Sequence, residues 1–259
     1  MAGMIHVPTS PLAHTPFELA GWLAGLGLSV ILYRWRLREA VDRAAVKVDG
    51  GYFLALAAGA IPGAWLAGSL NTLRQPSPAL SHSVEGALVG AIVGVELYKA
   101  LRGIKGSTGG VFVGSFALGV VIGRLGCFFA GLSDRTYGTS TDLPWAVDLG
   151  DGIGRHPVQL YESGSMALFL VLYLIGLARR RPWALRRGFY LMCAWYGAQR
   201  FLWEFLKPYP RLIGPFNLFQ ILCLGLIAYG WLYDRADRRA ERGAQDRALP
   251  VPGPDHQPV

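Results

Sequence analysis

Charge is scarce in this chain, and acidic charge is scarcer than basic charge. Only 16% of the 259 residues are charged, 52% are hydrophobic, and the mean hydropathy is +0.32. An ordinary soluble domain carries about 25% charged residues. The composition therefore argues against a soluble globular domain and predicts an integral membrane protein.

Several familiar sequence features are also missing. The three cysteines, Cys127, Cys193 and Cys223, all lie in apolar segments, which argues against a disulfide framework. The sequence contains no GxGxxG, Walker or CxxC pattern and no internal repeat. The first sixteen residues contain no lysine or arginine. We therefore expect no cleavable signal peptide, and the first spanning helix is expected to target the protein.

Long apolar segments predict an all-α fold with seven membrane-spanning helices. The segments are 17–33, 52–70, 84–101, 111–130, 159–177, 189–206 and 215–233. The first and third are the least apolar, because Glu18, Glu85 and Glu96 interrupt them. Most connections are short, which predicts antiparallel neighbours in a single bundle. Residues 1–233 are expected to form this one membrane domain.

The basic residues alternate between the two sides of the predicted membrane. Eighteen of the 25 lysines and arginines fall in four segments, 34–50, 99–105, 178–188 and 234–247. Such segments belong in the cytoplasm, which predicts an outside N-terminus and a cytoplasmic C-terminus. This distribution explains the net charge of +8 without a nucleic-acid partner.

Two regions lie outside the predicted helices. Residues 131–158 form a long outer loop rich in Gly, Asp, Thr and Pro, with Trp145 as a membrane-surface anchor. We expect this loop to cap a cavity that opens outward; the alternative is a solvated connection. Residues 234–259 are charged and then proline-rich, which predicts a disordered cytoplasmic tail.

Two arginines, Arg124 and Arg200, lie inside predicted spans. An arginine near the middle of a bilayer costs roughly 3 to over 10 kcal/mol, so it needs a partner. Two guanidinium groups in a low-dielectric site suit a phosphate, and the phosphate at hand is a phospholipid head group. The alternative is simple ion pairing, of Arg200 with Glu204 and of Arg124 with Glu85 or Glu162. The phosphate-binding and ion-pairing interpretations are both satisfied if the carboxylates orient the arginines around a ligand.

Helix direction places further polar residues at the same depth as the two arginines. The third and fifth predicted helices run inward and the fourth and sixth run outward, so their outer ends lie at one level. The polar residues at this level are His82, Glu85, His156, Gln159, Tyr161, Glu162, Glu204 and Lys207. In the sixth helix, Tyr196, Arg200, Glu204 and Lys207 share one face, which we expect to point into the bundle.

The histidines at this level allow two interpretations each. His82 and Glu85 are three residues apart and are a candidate acid–base pair; alternatively they form a solvated helix start, with Glu85 near the positive end of the helix dipole. His156 precedes a proline and is either a reactive group or a loop residue. No metal or other cofactor is implied, because these histidines and carboxylates lack a recognisable ligand spacing.

Five motifs occur in a specific order along the chain. They are GRLGCFFAGL (123–132), TDLPWAV (141–147), RHPVQLYE (155–162), YGAQRFLWEFLK (196–207) and NLFQIL (217–222). Their combination resembles the prolipoprotein diacylglyceryl transferases, bacterial enzymes that move diacylglyceryl from phosphatidylglycerol onto a lipoprotein cysteine. The resemblance covers most of the seven-helix core. It implies a cytoplasmic (inner) membrane protein whose active site faces the outer leaflet, with a phospholipid substrate and a lipoprotein precursor as partner.

The resemblance also implies roles for individual residues. Arg124 corresponds to the signature arginine, Arg200 to a second essential arginine, and Tyr196 to the tyrosine four residues before it; these groups are implied to hold the head group. Together with the candidate acid–base pair described above, these arginines make the catalytic candidates Arg124, Arg200, Glu85 and His82. The candidate substrate-binding residues are Tyr196, Glu204, His156, Gln159, Tyr161, Glu162, Cys127 and Gly126.

Some positions depart from the family pattern. Glu85 stands where the family has its proposed catalytic histidine, Cys127 replaces the signature asparagine, and Ala20 replaces a tyrosine of the first helix.

The expected function is transfer of diacylglyceryl from phosphatidylglycerol to a lipoprotein cysteine or a different acceptor, with release of glycerol phosphate. The alternative is a non-catalytic phospholipid-binding or lipid-moving protein. A transporter fits poorly, because no inverted repeat is evident.

Overall fold

The computed structural model describes residues 4–73, 78 and 80–248, and most of them are helical. The α-helices of this part of the chain are α1 (His14–Leu32), α2 (Arg38–Ala45), α3 (Gly50–Thr72), α4 (Val84–Arg102), α5 (Phe112–Ala130), α6 (Val158–Ala178), α7 (Pro182–Arg186), α8 (Gly188–Trp203) and α9 (Leu218–Ala248). A π-helical segment, Tyr33–Leu37, joins α1 to α2, and 3₁₀ turns occupy Pro11–Ala13, Gly131–Asp134 and Glu204–Leu206.

The seven predicted spans correspond to the long helices α1, α3, α4, α5, α6, α8 and α9, so the helical architecture is confirmed. By length and composition, four described segments can cross a membrane: Pro11–Ala45, Gly50–Thr72, Phe112–Asp134 and Val158–Ala178. The remaining long helices are more polar or shorter. The α4 helix contains Glu85, Glu96, Lys99 and Arg102, and α8 has 16 residues.

Two small sheets complete the described chain and were not expected from the helical pattern. Strand β1 (Ile5–His6) pairs in parallel with β2 (Val147–Asp148), which pairs antiparallel with β3 (Gly154–Arg155). The other sheet is a hairpin of β4 (Arg211–Ile213) and β5 (Phe216–Asn217). Strands of two or three residues are too short to show an alternating pattern in the sequence. The first sheet fastens the loop 131–158 to the start of the chain.

Glycines allow α3 and α4 to approach closely. A Cβ atom added at Gly59 would overlap the carbonyl oxygen of Gly90, and one added at Gly90 would overlap the carbonyl oxygen of Gly59. Small residues at such positions bring helix backbones together, as expected for helices that pack in a membrane. This pairing fixes the start of α4, which carries Glu85.

The apolar core lies between α4, α5, α6, α8 and α9, and it includes Leu32 at the end of α1, which packs along α5. Its fully buried members include Met166 and Tyr173 on α6, Met192 and Cys193 on α8, and Leu226 on α9. The core therefore holds in register the helices that carry the two interior arginines.

The last helix runs further than the sequence analysis expected. A disordered tail was predicted from residue 234, but α9 continues to Ala248, and residues 249–259 lie outside the described part of the chain. Ion pairs explain the difference. Arg187, before α8, contacts Asp234 at 3.5 Å and Glu241 at 2.7 Å, so two turns of the predicted tail dock on the bundle.

Candidate functional site

Six charged side chains meet at one end of the bundle. They come from the start of α4 (Glu85), the last turns of α5 (Arg124), the start of α6 (Glu162), the end of α8 (Arg200), and the turn that follows α8 (Glu204 and Lys207). Five of these residues are at most 5% exposed, and the Arg124 side chain is 11% exposed. We call these six residues the ionic cluster. Its three cations and three carboxylates balance in formal charge.

Glu162 is the centre of the ionic cluster. One of its oxygens contacts Nε of Arg124 and lies 3.4 Å from Nη1 of Arg200, and the other lies 2.5 Å from Nζ of Lys207. Of the two partners predicted for Arg124, the structure therefore selects Glu162. A carboxylate that bridges two guanidinium groups holds them side by side, which is the arrangement that a shared anionic ligand requires.

Arg200 contacts all three carboxylates of the ionic cluster. Its Nε donates to Glu85 at 2.5 Å, and its Nη2 lies 3.2 Å from Glu204, the partner predicted one helical turn away. The guanidinium also lies over the ring of Phe219, 5.0 Å from its centroid. A guanidinium group has five N–H donors, so several acceptors share this arginine.

The start of α9 supplies residues that the sequence analysis did not place in the site. The Asn217 side chain donates to Glu204 at 3.1 Å, and Asn217 and Gln220 cap each other's backbone N–H groups at 2.9 Å. The Cys223 thiol donates to Glu85 at 3.1 Å, one turn after Gln220. The motif NLFQIL contained the signal for Asn217 and Gln220, but the role of Cys223 depends on helix packing.

Tyr196 and Gln159 bring polar atoms without a partner into this region. Both side chains are 1% exposed, and the Tyr196 hydroxyl and both amide atoms of Gln159 make no hydrogen bond within the described part of the chain. A buried polar group without a partner costs about 1–3 kcal/mol. Tyr196 lies one turn before Arg200, and Gln159 lies one turn before Glu162. The Tyr196 hydroxyl and the Gln159 amide N–H groups are therefore available as donors to the oxygens of a bound ligand. The predicted interior face from Tyr196 to Lys207 is confirmed as buried.

The structure does not bring His82 to the ionic cluster. Ser83 caps α4 by accepting a hydrogen bond from the Gly86 N–H at 3.2 Å, so the helix begins at Val84 and His82 precedes it. His82 is exposed and its ring lies 5.8 Å from that of Trp65, whereas Glu85 is completely buried. The acid–base pair predicted from a shared helix face is therefore not formed, because His82 is not part of the helix.

His156 and Tyr161 line the junction between the outer loop and α6. The Tyr161 hydroxyl accepts a 2.7 Å hydrogen bond from the indole N–H of Trp145, and its ring lies 5.1 Å from that of Trp203. His156 is half-buried, 6.3 Å from Tyr161 between ring centroids, and its Nδ1 is unpaired among the described residues. Trp145 thus fastens the loop to the bundle, in addition to the membrane-surface role predicted for it.

The signature residues Gly126 and Cys127 face α1. A Cβ atom added at Gly126 would lie 2.6 Å from Cβ of Phe17, so this glycine serves helix packing and does not reach the ionic cluster. Cys127 is buried, with its sulfur 3.9 Å from Nη1 of Arg124. Of these two candidate substrate-binding residues, Cys127 contacts the ionic cluster and Gly126 does not.

Carboxylates of the outer loop are held in their ionised form. Asp148 accepts hydrogen bonds from the Gly150 and Gly152 N–H groups at 2.8 and 2.9 Å and contacts Nδ1 of His6 at 3.1 Å. The Gly150 N–H and the His6 side chain keep the pKa of Asp148 below its ordinary value. The Arg155 side chain, 2.6 Å from Asp151, does the same for the pKa of Asp151.

Comparisons with known proteins show which proteins this chain resembles. The chain is 38% identical over 121 residues to the phosphatidylglycerol–prolipoprotein diacylglyceryl transferase of Geobacter sulfurreducens (44% of each chain). It is 35% identical over 156 residues to that of Bordetella parapertussis (58% of this chain, 55% of the relative). It is 32% identical over 176 residues to the same enzyme of Cupriavidus necator (61% of this chain, 60% of the relative). The chain thus spans about half the length of the curated relatives it matches.

No solved structure matches the chain. The sequence profile of the prolipoprotein diacylglyceryl transferases matches residues 20–233, which contain the whole ionic cluster. The chain therefore belongs to the prolipoprotein diacylglyceryl transferase family.

Proposed function

We propose that this protein transfers diacylglyceryl from phosphatidylglycerol to the cysteine thiol of a lipoprotein precursor and releases glycerol phosphate. The observation that carries the proposal is the meeting of Arg124 and Arg200, from two different helices, on the single carboxylate of Glu162. The names of the relatives support the donor and the acceptor.

The proposal includes a topology. Seven helices, α1, α3, α4, α5, α6, α8 and α9, cross the bacterial cytoplasmic (inner) membrane, with the N-terminus outside and the C-terminus in the cytoplasm. The basic segments near 34–50, 99–105, 178–188 and 234–247 support this orientation. The ionic cluster then lies in the outer half of the membrane, at the same end of the bundle as the outer loop 131–158. A phospholipid reaches it from the outer leaflet.

The donor phosphate binds between the two arginines in this proposal. A phosphodiester accepts the same bidentate hydrogen bonds as a carboxylate. It therefore competes with Glu85 for Arg200, while Glu162 and Glu204 keep the guanidinium groups in place. The hydroxyl of Tyr196 and the amide of Gln159, both unpaired in the described chain, donate to the remaining oxygens of the head group.

The transfer step follows from this exchange of partners. The acceptor sulfur forms a bond to the glyceryl carbon of the donor, the bond from that carbon to the phosphate oxygen breaks, and glycerol phosphate leaves. The departing oxygen gains negative charge, which Arg124 and Arg200 stabilise. The thiol proton passes to Glu85, whose oxygen is free once Arg200 has turned to the phosphate.

A second function is favoured by one observation. Both oxygens of Glu85 are occupied, one by Arg200 and one by the Cys223 thiol. If this pairing persists with lipid bound, the protein holds phosphatidylglycerol without turning it over and acts as a lipid-binding protein. The two functions share the head-group site and differ only in the acceptor step.

The two functions are separated by incubating the purified protein with phosphatidylglycerol labelled in its terminal glycerol, with and without a cysteine-containing lipobox peptide. Release of labelled glycerol phosphate that requires the peptide supports the transferase. Saturable binding of the lipid without release supports the binding protein. Arg102→Ala, an arginine substitution in the last turn of α4 and far from the ionic cluster, is the matched control for Arg124→Ala.

A further inference from the structure

Three side chains with different ligand atoms converge beside the ionic cluster. His14 is the first residue of α1, Cys127 lies in the last turn of α5, and Asp134 ends the 3₁₀ turn that follows α5. Their ligand atoms all lie within 4.8 Å of one another, and Nε2 of His14 is 3.5 Å from Oδ1 of Asp134. Cys127 is buried and the other two are half-buried.

The donor set matches the chemistry of zinc. Zn²⁺ binds imidazole nitrogen, thiolate sulfur and carboxylate oxygen at about 2.0–2.3 Å in a tetrahedral arrangement. Ligand atoms at those bond lengths lie about 3.3–3.7 Å apart. The separation of 3.5 Å between His14 and Asp134 falls within this interval. The Cys127 sulfur lies within 4.8 Å of both atoms, so its approach to the metal would fill a third corner of a tetrahedron.

Two neighbouring side chains lie beside the proposed ligands. Glu18 lies 3.8 Å from Nδ1 of His14, which is beyond hydrogen-bond distance, while Nε2 of the same ring is 3.5 Å from Oδ1 of Asp134. The Thr136 hydroxyl donates to Oδ2 of Asp134 at 2.6 Å, which leaves Oδ1 facing His14. A carboxylate on the distal nitrogen of a ligating histidine is a common second contact in zinc sites.

The local fold holds the three elements together. The Ser10 N–H donates to the Phe129 carbonyl at 2.9 Å, and the rings of Phe17 and Phe129 stack with centroids 5.6 Å apart. Gly126 permits the close contact of α5 with Phe17. The ligands therefore come from segments that are already fixed with respect to one another, which lowers the entropy cost of binding a metal.

The local charge is also compatible with a dication. A thiolate and a carboxylate neutralise Zn²⁺, and the imidazole is neutral when it binds metal. Arg124 lies 3.9 Å from the Cys127 sulfur and is paired with Glu162. We propose that His14, Cys127 and Asp134 form a zinc site with three protein ligands and an open fourth position. The proposal is independent of the transferase reaction.

The test measures metal directly. The full chain is purified without a polyhistidine tag, and its zinc content is measured after dialysis against limiting zinc; about one zinc per chain is expected. Replacement by Co²⁺ should give a near-ultraviolet charge-transfer band, because a thiolate ligand is present. The band should be lost in Cys127→Ala and retained in Cys193→Ala, which removes a buried cysteine of the apolar core.

Further variants keep the test decisive if Cys127→Ala folds poorly. Asp134→Asn and His14→Ala alter half-buried positions, and each should lower zinc affinity by more than tenfold. Glu18→Gln should lower it by about 10- to 100-fold without abolishing the band. A wild-type protein that binds no zinc and shows no cobalt band would overturn the proposal. A cobalt band retained in Cys127→Ala would overturn the proposal equally, because the thiolate would then not be a ligand.

Discussion

Glu85 accepts a 2.5 Å hydrogen bond from Nε of Arg200, although the two residues lie 115 positions apart in the chain. A carboxylate at the start of α4 thus holds an arginine at the end of α8. The glycine contact between α3 and α4 fixes one partner, and the apolar core fixes the other. An anion that binds Arg200 must change this contact, so lipid binding and the state of Glu85 are linked.

Glu162 should be the residue on which the ionic cluster depends most. Glu162→Gln removes the carboxylate shared by Arg124, Arg200 and Lys207 and leaves an excess of buried positive charge. Breaking a buried pair in this way costs about 3–5 kcal/mol. We expect a large fall in Tm in detergent, measured by intrinsic fluorescence, and partial recovery when phosphatidylglycerol is added. Glu39→Gln, at an exposed position of α2, should leave Tm unchanged.

Substitutions of Glu85 separate lipid binding from transfer. Glu85→Gln keeps an acceptor for the Cys223 thiol but loses the group that takes the acceptor proton, so turnover should fall by at least 100-fold, as for loss of a general base. Binding of phosphatidylglycerol should be retained or improved, because Arg200 has one competitor fewer. Glu85→His should retain measurable turnover. Equal turnover in Glu85→Gln and the wild type would show that Glu85 is not the base.

The outer loop should loosen in acid. Because the pKa of Asp148 is lowered in the folded protein, its stabilising effect is present above about pH 4, the ordinary value for aspartate, and is lost as the pH falls through the lower folded-state pKa. Hydrogen exchange of the Gly150 and Gly152 amides, corrected for intrinsic rates, should accelerate below that pH. In Asp148→Asn the acceleration should be present at neutral pH and independent of acid. Asp142→Asn, in the same loop, should behave as the wild type.

Close packing of α3 on α4 should be sensitive to a single methyl group. Gly90→Ala places a Cβ against the Gly59 carbonyl, and such overpacking costs about 1–3 kcal/mol. A lower Tm and a loss of turnover are expected, because the start of α4 carries Glu85. Gly119→Ala is the matched control, since an added Cβ there meets no described atom within 4 Å. Equal losses in the two variants would contradict the packing argument.

The sequence predicted much of the candidate site because membrane energetics limit where charge can lie. Arg124 and Arg200 stood out in apolar segments, and helix direction placed Glu85, Glu162 and Glu204 at their level. These five residues do meet. The pair of Arg200 and Glu204 follows from their spacing of one helical turn. The pairs that Arg124 and Arg200 form with Glu85 and Glu162 depend on side-chain distances between helices, which do not follow from periodicity.

The structure differs from the sequence predictions where a single contact sets a helix boundary or a side-chain partner. Ser83 caps α4, so His82 falls outside the helix that it was predicted to share with Glu85. The Cys223 thiol contacts Glu85 from the apolar run that follows Gln220, where no charged residue marks a site. Ion pairs with Arg187 extend α9 into a stretch whose composition predicted disorder. A local cap decides the first case, and tertiary contacts override the local pattern in the other two.

The role of Arg124 is tested most directly by mass spectrometry of the acceptor. A lipobox peptide is incubated with phosphatidylglycerol and purified wild type, Arg124→Ala or Arg102→Ala protein, all shown to be folded. The peptide should gain one diacylglyceryl group on its cysteine with the wild type and Arg102→Ala, and none with Arg124→Ala. An unmodified peptide with the wild type, or equal modification with Arg124→Ala, would contradict the proposed reaction.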